Sequence, residues 1–138
     1  MIKIQKKDFN LENEIKKLKD NLSSVGAVSS FIGYVRDLNN EKDVKFIELE
    51  VYNDMAISEL SKIKETAVKN WKLTDCLIIH RYGKLYVNEK IVLVACFSEH
   101  RKNGLEACKY IMDYLKKDAP FWKKEFYLKE SSWLENTS

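Results

Sequence analysis

Two basic segments near the carboxyl end of the chain contain residue types that bind anions and transfer protons. The first is His100-Arg101, which follows the apolar run from Ile91 to Phe97 and precedes a predicted helix opened by Asn103. The N-terminus of a helix favours anions, and arginine can donate two hydrogen bonds to one phosphate or carboxylate. This pair therefore indicates an anion site, with a surface loop that carries an ordinary ion pair as the open alternative.

The second segment contains Lys116 and Lys123, on either side of a predicted helix end at Pro120. A lysine such as Lys116, in the last turn of a helix, often only complements the helix dipole. The strand predicted after Pro120 has two faces, with Lys123, Glu125 and Tyr127 on one and Lys124, Phe126 and Leu128 on the other. Lys123 and Glu125 could therefore position each other for acid–base chemistry, the alternative being an ordinary solvated strand face.

The distribution of charge supports an anionic ligand bound at one place. The whole chain has a net charge of +3, whereas residues 100–129 contain eight Lys or Arg against four Asp or Glu, a local balance of +4. The positive excess therefore lies in this tract. Arg36, at the end of an earlier predicted strand, could add a phosphate donor or pair with Asp37. His80-Arg81 also closes a strand, but no helix start follows it, so we expect a structural role for that pair.

Length and composition exclude several classes of protein. A chain of 138 residues suits one domain, here residues 1–138, and its longest apolar run is too short to cross a bilayer. The N-terminus lacks the apolar region of a signal peptide, so we expect a cytoplasmic protein without membrane contact. The three cysteines, Cys76, Cys96 and Cys108, are widely spaced in apolar stretches, which predicts buried reduced thiols rather than disulfides or a metal site.

Periodicity predicts the elements that position these residues. We predict a helix over Leu11–Leu22, strands over Val25–Val35 and Val44–Tyr52, a helix from an Asn53 N-cap to Trp71, strands over Cys76–Arg81 and Lys90–Ser98, a helix opened by Asn103 whose core face includes Leu105, and a strand over Phe121–Lys129. The order α-β-β-α-β-β-α-β predicts an α+β domain in which helices pack on a mixed sheet. We expect residues 1–24 to form a helical lead-in and residues 130–138 a tail.

Four strings resemble the large, catalytic subunit of molybdopterin synthase: GAVSSFIGYVRD (26–37), IIHRYGKL (78–85), SEHR (98–101) and MDYLKKDAPFWKKE (112–125). The resemblance implies an α/β-hammerhead fold and a homodimer. It also implies a small ubiquitin-like partner subunit, which completes a heterotetramer. The Gly-Gly tail of that partner carries a thiocarboxylate, which delivers sulfur to cyclic pyranopterin monophosphate and forms the dithiolene of molybdopterin. This chain departs from the family pattern at Val51-Tyr52-Asn53-Asp54-Met55.

The resemblance also assigns residues. The family's essential lysines fall on Lys116 and Lys123, and its substrate-contacting positions, besides these two, fall on Tyr34, Val35, Arg36, His100, Arg101, Lys124 and Glu125. On this basis we expect Lys116 to polarise the carbonyl of the tail and Lys123 to act on the pterin as general acid or base. Arg36, His100 and Arg101 would hold the phosphate. Sulfur arrives on the partner, so we expect no catalytic cysteine, and we expect neither a cofactor nor a metal.

Two functions from other classes compete with this interpretation. A nucleic-acid-binding module would use the basic tract with Tyr110, Tyr114, Phe121 and Trp122 as stacking groups, although a net charge of +3 is weak for binding a phosphate backbone. A non-catalytic adaptor would bind the ubiquitin-like partner without sulfurating a pterin. We therefore expect no nucleic-acid partner, and activity with a thiocarboxylated partner separates enzyme from adaptor.

Overall fold

The structure is a computed structural model that describes residues 1–39 and 42–127. Its elements are β1 (Ile2–Gln5), α1 (Leu11–Lys19), β2 (Ala27–Tyr34), β3 (Leu38–Asn39), β4 (Lys42–Val51), α2 (Asn53–Trp71), β5 (Asp75–Arg81), β6 (Gly83–Tyr86), β7 (Lys90–Ser98), α3 (Arg101–Lys117) and β8 (Phe121–Tyr127). The predicted tail, residues 130–138, and the predicted end of the last strand at Lys129 lie outside the described residues. All predicted helices and strands are present, and the fold is α+β as expected.

The predicted element order was incomplete, because it lacked β1, β3 and β6. These strands are short, with four, two and four residues, and such segments show too few alternations to be recognised. The lead-in predicted as helical therefore begins with a strand. β1 is ordered by tertiary pairing, since it lies parallel to β5 with Ile2 opposite Ile78 and Ile4 opposite His80.

The first sheet has the strand order β1-β5-β7-β2 and carries the main core. Only its β1–β5 pair is parallel, so the sheet is mixed, as predicted. β7 lies between β5 and β2 and is buried continuously from Val92 to Ser98, which confirms the interpretation of its unbroken apolar run. One face of this sheet packs against α2 and α3, and the other packs against α1.

The helices begin and pack differently from the prediction in three places. Tyr52, rather than Asn53, is the N-cap of α2, and His100 precedes an α3 that begins at Arg101, two residues before the predicted opening at Asn103. Leu105 was assigned to the core face of α3 but is 60% exposed. The buried face is Gly104, Ala107, Cys108 and Ile111. A Cβ at Gly104 would lie 2.8 Å from the hydroxyl oxygen of Ser29, so this glycine lets α3 approach β2 closely.

A second sheet is organised around the long strand β4, which pairs with β3, β6 and β8. Its inner face packs into a separate core cluster: Val35, Val44, Ile47, Leu49, Leu85 and Tyr127. β8 runs antiparallel to β4 and places Lys123 opposite Leu49 and Glu125 opposite Ile47. Because the facing β4 residues are buried, the alternation of β8 turns Lys123 and Glu125 toward the inner face of this sheet.

Candidate active site

A cavity of about 100 Å³ lies where the end of β2 meets the inner face of β4 and β8. It is lined by Tyr34, Val35, Arg36, Val44, Ile47, Ile91, Lys123 and Glu125. Five of the predicted site residues are therefore brought together, although two segments far apart in the sequence, residues 34–36 and β8, supply them. The lining combines aliphatic side chains with a guanidinium, an ammonium and a carboxylate. Such a cavity combines an apolar wall with converging groups that can bind an anion and transfer protons.

Lys123 and Glu125 form the ion pair that strand alternation predicted. The Lys123 Nζ lies 3.5 Å from Oε2 of Glu125, and the two side chains are 50% and 7% exposed. The second carboxylate oxygen, Oε1, accepts a hydrogen bond of 2.7 Å from the hydroxyl of Tyr127. A buried carboxylate is costly unless it is paired and hydrogen-bonded, so these contacts keep a negative charge in the wall of the cavity. The half-exposed lysine remains able to meet a ligand.

The wall formed by residues 34–36 is fixed through the backbone of Val35. The Val35 N–H donates to the carbonyl of Glu89 at 3.0 Å, and its carbonyl accepts from the N–H of Asn88 at 2.9 Å. Asn88 has a φ of 73°, in the left-handed region, which lets the turn before β7 reach back to β2. Val35 is 2% exposed, whereas Tyr34 and Arg36 on either side of it are exposed. Anchoring Val35 therefore presents its two neighbours at the surface of the cavity.

Arg81 and Glu89 hold this turn in place, and sequence reasoning did not connect them with the site. Arg81 is 6% exposed and donates to the carbonyls of Lys6 and Lys90 and, at 3.2 Å, to Oε1 of Glu89. The other Glu89 oxygen accepts from the N–H of Tyr86 at 2.7 Å. The structural role expected for Arg81 is confirmed. No signal in the sequence could have found its partners, because most are backbone carbonyls contributed by other segments.

Lys116 and Lys124 are predicted site residues that do not line the cavity. Lys116 is exposed in the last turn of α3, and Lys124 points to the outer face of β8, where it lies 3.8 Å from the carboxylate of Glu50. The opposite directions of Lys123 and Lys124 follow from the strand period, as predicted. Their substrate contacts remain predictions.

His100 and Arg101 lie at the far end of α3 from Lys116. Fifteen residues of α-helix separate Arg101 from Lys116, which corresponds to roughly 22 Å at 1.5 Å per residue. Both His100 and Arg101 are exposed, and His100 gives α3 no side-chain cap. The backbone before α3 is anchored instead, because the Ser98 hydroxyl donates to the carbonyl of His100 at 2.7 Å. The two basic segments are thus distant within one chain.

Several aromatic residues near the basic tract are engaged in packing. Phe121 stacks on His80 with ring centroids 3.7 Å apart, and Tyr110 lies 5.0 Å from the ring of Trp71. Burial lowers the pKa of His80 to about 4, so this imidazole is neutral near pH 7. Phe121 and Tyr110 therefore do not form the exposed stacking surface that a nucleic-acid module would need.

The cysteines are free and buried in the main core, as predicted. Hydrogen bonding to the thiols of Cys108 and Cys76, together with burial, raises the pKa of Cys96, which keeps that thiol protonated.

Among residues 1–39 and 42–127, no group of three His, Cys, Asp or Glu side chains could hold a metal ion. Within the same residues, no helix combines the length and apolar character needed to span a membrane.

Comparison with known proteins decides the family. A sequence model described as MoaE protein matches residues 4–118, most of the chain. The molybdopterin synthase catalytic subunit of Ralstonia nicotianae is 46% identical over 134 residues, which cover 97% of this chain and 76% of the relative. The protein of the same name from Pseudomonas aeruginosa is 41% identical over 134 residues, covering 97% and 89%. The chain belongs to the MoaE family.

Solved structures agree with this placement in the MoaE family. The molybdopterin cofactor biosynthesis protein E from Burkholderia multivorans superposes with a TM-score of 0.82 at 38% identity, covering 100% of this chain and 90% of that chain. Molybdopterin synthase from Staphylococcus aureus superposes with a TM-score of 0.83 at 29% identity, covering 92% of this chain and 91% of that chain. A complex of subunits 1 and 2 of the molybdopterin-converting factor from Helicobacter pylori gives 0.76 at 22% identity, covering 95% and 92%, a likeness of fold. The α+β fold and the resemblance to molybdopterin synthase catalytic subunits expected from the sequence are confirmed.

Proposed function

We propose that this protein is the catalytic subunit of a molybdopterin synthase. It transfers sulfur from the thiocarboxylate of a small ubiquitin-like subunit to cyclic pyranopterin monophosphate and forms the dithiolene of molybdopterin. The observation that carries the proposal is the cavity between β2 and β8, where a lysine paired with a buried carboxylate faces the same space as an arginine. Relatives up to 46% identical that carry the name molybdopterin synthase catalytic subunit support it.

The residues of the cavity match the charges of these substrates. A cyclic phosphate and a thiocarboxylate are both anions, and Arg36 can donate two parallel hydrogen bonds to either. Lys123 acts on the pterin as general acid or base, with Glu125 holding its ammonium group toward the cavity. Lys116 polarises the terminal carbonyl of the tail. Sulfur arrives on the partner, so the buried positions of Cys76, Cys96 and Cys108 are compatible with the chemistry.

The size of the cavity suits the tail of the proposed partner. The cavity is small, about 100 Å³. A Gly-Gly terminus has no side chains, so it can bring its thiocarboxylate to a small cavity more readily than a bulkier terminus can. The Helicobacter pylori structure is a complex of two subunits, which supports a partner of this kind. We propose the cytoplasm as the compartment, since it keeps thiols such as Cys76 and Cys96 reduced.

We further propose that two copies of the chain complete each site. Arg36 lies in the cavity, whereas His100 and Arg101 lie near the other end of β2, because Ala27 at the start of that strand pairs with Ser98. β2 is the edge of the first sheet in the described strand order, and it exposes Val28, Phe31 and Tyr34. An edge strand of eight residues with apolar side chains is a template for pairing with another strand.

A two-fold axis through the middle of β2 would bring the separated segments together. Antiparallel pairing of two β2 strands sets the start of one beside the end of the other. At about 3.4 Å per residue, β2 spans roughly 24 Å, close to the separation between the two ends of α3. His100 and Arg101 of one copy would then lie beside the cavity of the other, where they can hold the phosphate. A homodimer with a small subunit at each site is a heterotetramer.

The decisive experiment is reconstitution with a thiocarboxylated small subunit and cyclic pyranopterin monophosphate, scored for the dithiolene product. We expect product from the wild-type chain and at least about a hundredfold slower product formation from Lys123→Ala. A chain that binds the small subunit but yields no product would be an adaptor, and the proposed function would be wrong. Salt-dependent binding of single-stranded RNA or DNA with no product would instead support the nucleic-acid module.

Mixing two inactive variants tests the shared site. At subsaturating pterin we expect Lys123→Ala and the double variant His100→Ala/Arg101→Ala each to lose almost all activity as homodimers, but a mixed dimer contains one intact site. Random exchange gives half mixed dimers, so we expect recovery of about a quarter of the wild-type activity. Unmixed variants measured at the same total concentration are the control. No recovery, despite demonstrated exchange of subunits, would contradict a site shared between copies.

A further inference from the structure

The buried carboxylate of Glu125 makes a further contact besides its ion pair with Lys123. The residue is 6% exposed, yet Lys123, its partner, is half exposed and lies 3.5 Å away. That distance allows the lysine to move toward a ligand, and during such movement the carboxylate needs another group to hold it. Buried carboxylates keep their charge and orientation through hydrogen bonds to fixed donors. The structure supplies one from the same strand.

The donor is Tyr127, two residues further along β8. Its hydroxyl donates to Oε1 of Glu125 at 2.7 Å, and the tyrosine is 7% exposed. Residues two apart on a strand point to the same face, so the pleat of β8 sets this contact. The ring belongs to the core cluster of the second sheet with Val35 and Leu85, and on β4 its register partner is Val44. A packed ring cannot swing, so its hydroxyl is held in place.

The two oxygens of Glu125 therefore have separate contacts. Oε1 accepts from Tyr127, and Oε2 faces the Nζ of Lys123. Turning the carboxylate about its last side-chain bond would break the hydrogen bond to the phenol and would also move Oε2 away from the lysine. The geometry points to Tyr127 as a positioning residue of the active site: its hydroxyl fixes the carboxylate of Glu125, which in turn aims Lys123 at the cavity. This inference rests on the proposed function.

The test compares Tyr127→Phe with Tyr86→Phe, a matched control on β6. Tyr86 is 45% exposed and does not line the cavity. Removing the hydroxyl of Tyr127 leaves the ring and its packing in place, so we expect both variants to fold. We expect kcat for dithiolene formation to fall about tenfold in Tyr127→Phe, the cost of one charge-assisted hydrogen bond, while KM for the pterin changes less than about twofold. Tyr86→Phe should keep both constants.

A double variant distinguishes positioning from a general structural effect. If Tyr127 acts through Glu125, adding Tyr127→Phe to Glu125→Gln should lower kcat by less than about twofold beyond Glu125→Gln alone. A further loss as large as that of the single variant would overturn the inference. An unchanged kcat in Tyr127→Phe would overturn it as well.

A second readout is independent of turnover. In the ¹³C NMR titration of the Glu125 side-chain carboxylate, we expect the midpoint to move to higher pH in Tyr127→Phe and to stay in place in Tyr86→Phe, because the phenol stabilises the ionised form. If the wild-type chain makes no dithiolene, the proposed function fails, and this titration alone decides the role of Tyr127. A midpoint that does not move would overturn the inference whatever the activity.

Discussion

The two ends of the basic tract differ in how firmly their side chains are held. At the β8 end, Lys123 is paired with Glu125, which is itself bonded to a buried tyrosine. At the start of α3, His100 and Arg101 are exposed, and the anchored group among the described residues is the backbone carbonyl of His100. The first end is organised within one chain. The second presents its charged groups outward, where the second copy in the proposed dimer would bring a ligand to them.

The basic residues at the two ends therefore have different roles, although they are of similar types. Pairing and burial restrict the Lys123–Glu125 pair to one arrangement. A preorganised site of this kind loses less conformational entropy when it binds a ligand. Exposed basic groups at a helix start attract an anionic ligand electrostatically over a distance. Their final positions depend on the ligand or partner that approaches them. Variants at the two ends should therefore change different kinetic constants.

The largest effect on catalysis is expected at the β8 end of the basic tract. Lys123→Ala removes the proposed acid or base, and we expect kcat to fall by roughly 10² to 10⁴-fold. Lys109→Ala is the matched control, since it removes one exposed lysine of the same tract whose partner is Asp113. Single-turnover rates of dithiolene formation measure both. A Lys123→Ala rate close to that of Lys109→Ala would contradict the assignment.

Arginine variants should separate binding from catalysis. Arg36→Ala and Arg101→Ala each remove charge-assisted hydrogen bonds to the phosphate, so we expect KM for the pterin to rise by about 10- to 100-fold. The effect on kcat should be smaller than the effect on KM. Steady-state kinetics at two salt concentrations check this. If Arg101→Ala leaves KM unchanged, the exposed end of the tract does not hold the phosphate.

The two histidines should differ in their effect on stability. The folded pKa of His80, about 4, lies below its unfolded value of 6.5, so the unfolded state binds the proton more readily. The contribution of His80 to the free energy of unfolding is therefore complete above pH 6.5. It is lost as the pH decreases toward 4, by roughly 3 kcal/mol in total. Urea unfolding across this range measures the slope. His80→Phe should remove it, whereas His100→Asn, at an exposed position, should retain it.

The smallest effect is expected on the outer face of β8. The ion pair between Lys124 and Glu50 joins two half-exposed side chains at 3.8 Å, so Glu50→Gln should change the free energy of unfolding by less than about 0.5 kcal/mol. Glu125→Gln alters the buried pair on the opposite face and should cost more. Urea denaturation of the two variants compares them directly. Equal costs would mean that burial does not distinguish the two faces.

Much of the fold was predictable because its longer elements carry clear periodicity. The predicted bounds of Lys90–Ser98 match β7, and the shared face of Lys123 and Glu125 follows from strand alternation alone. The errors occurred where tertiary contacts override local signals. β1 and β6 are too short to be recognised, and Leu105 fits the helical apolar pattern but faces solvent because Gly104 and Ala107 let α3 approach the sheet closely.

The family, the α+β class and the residue types of the candidate site follow from the sequence alone, because they depend on local strings and on periods of two or 3.6 residues. Only the tertiary structure decided which charges meet. It placed Arg36 beside Lys123, separated both from His100, and connected Glu89 with Val35 and Tyr127 with Glu125. Such contacts depend on strand pairing and register between distant segments, which local patterns do not specify. The basic tract is one segment in the sequence, but in the folded chain its two ends lie apart.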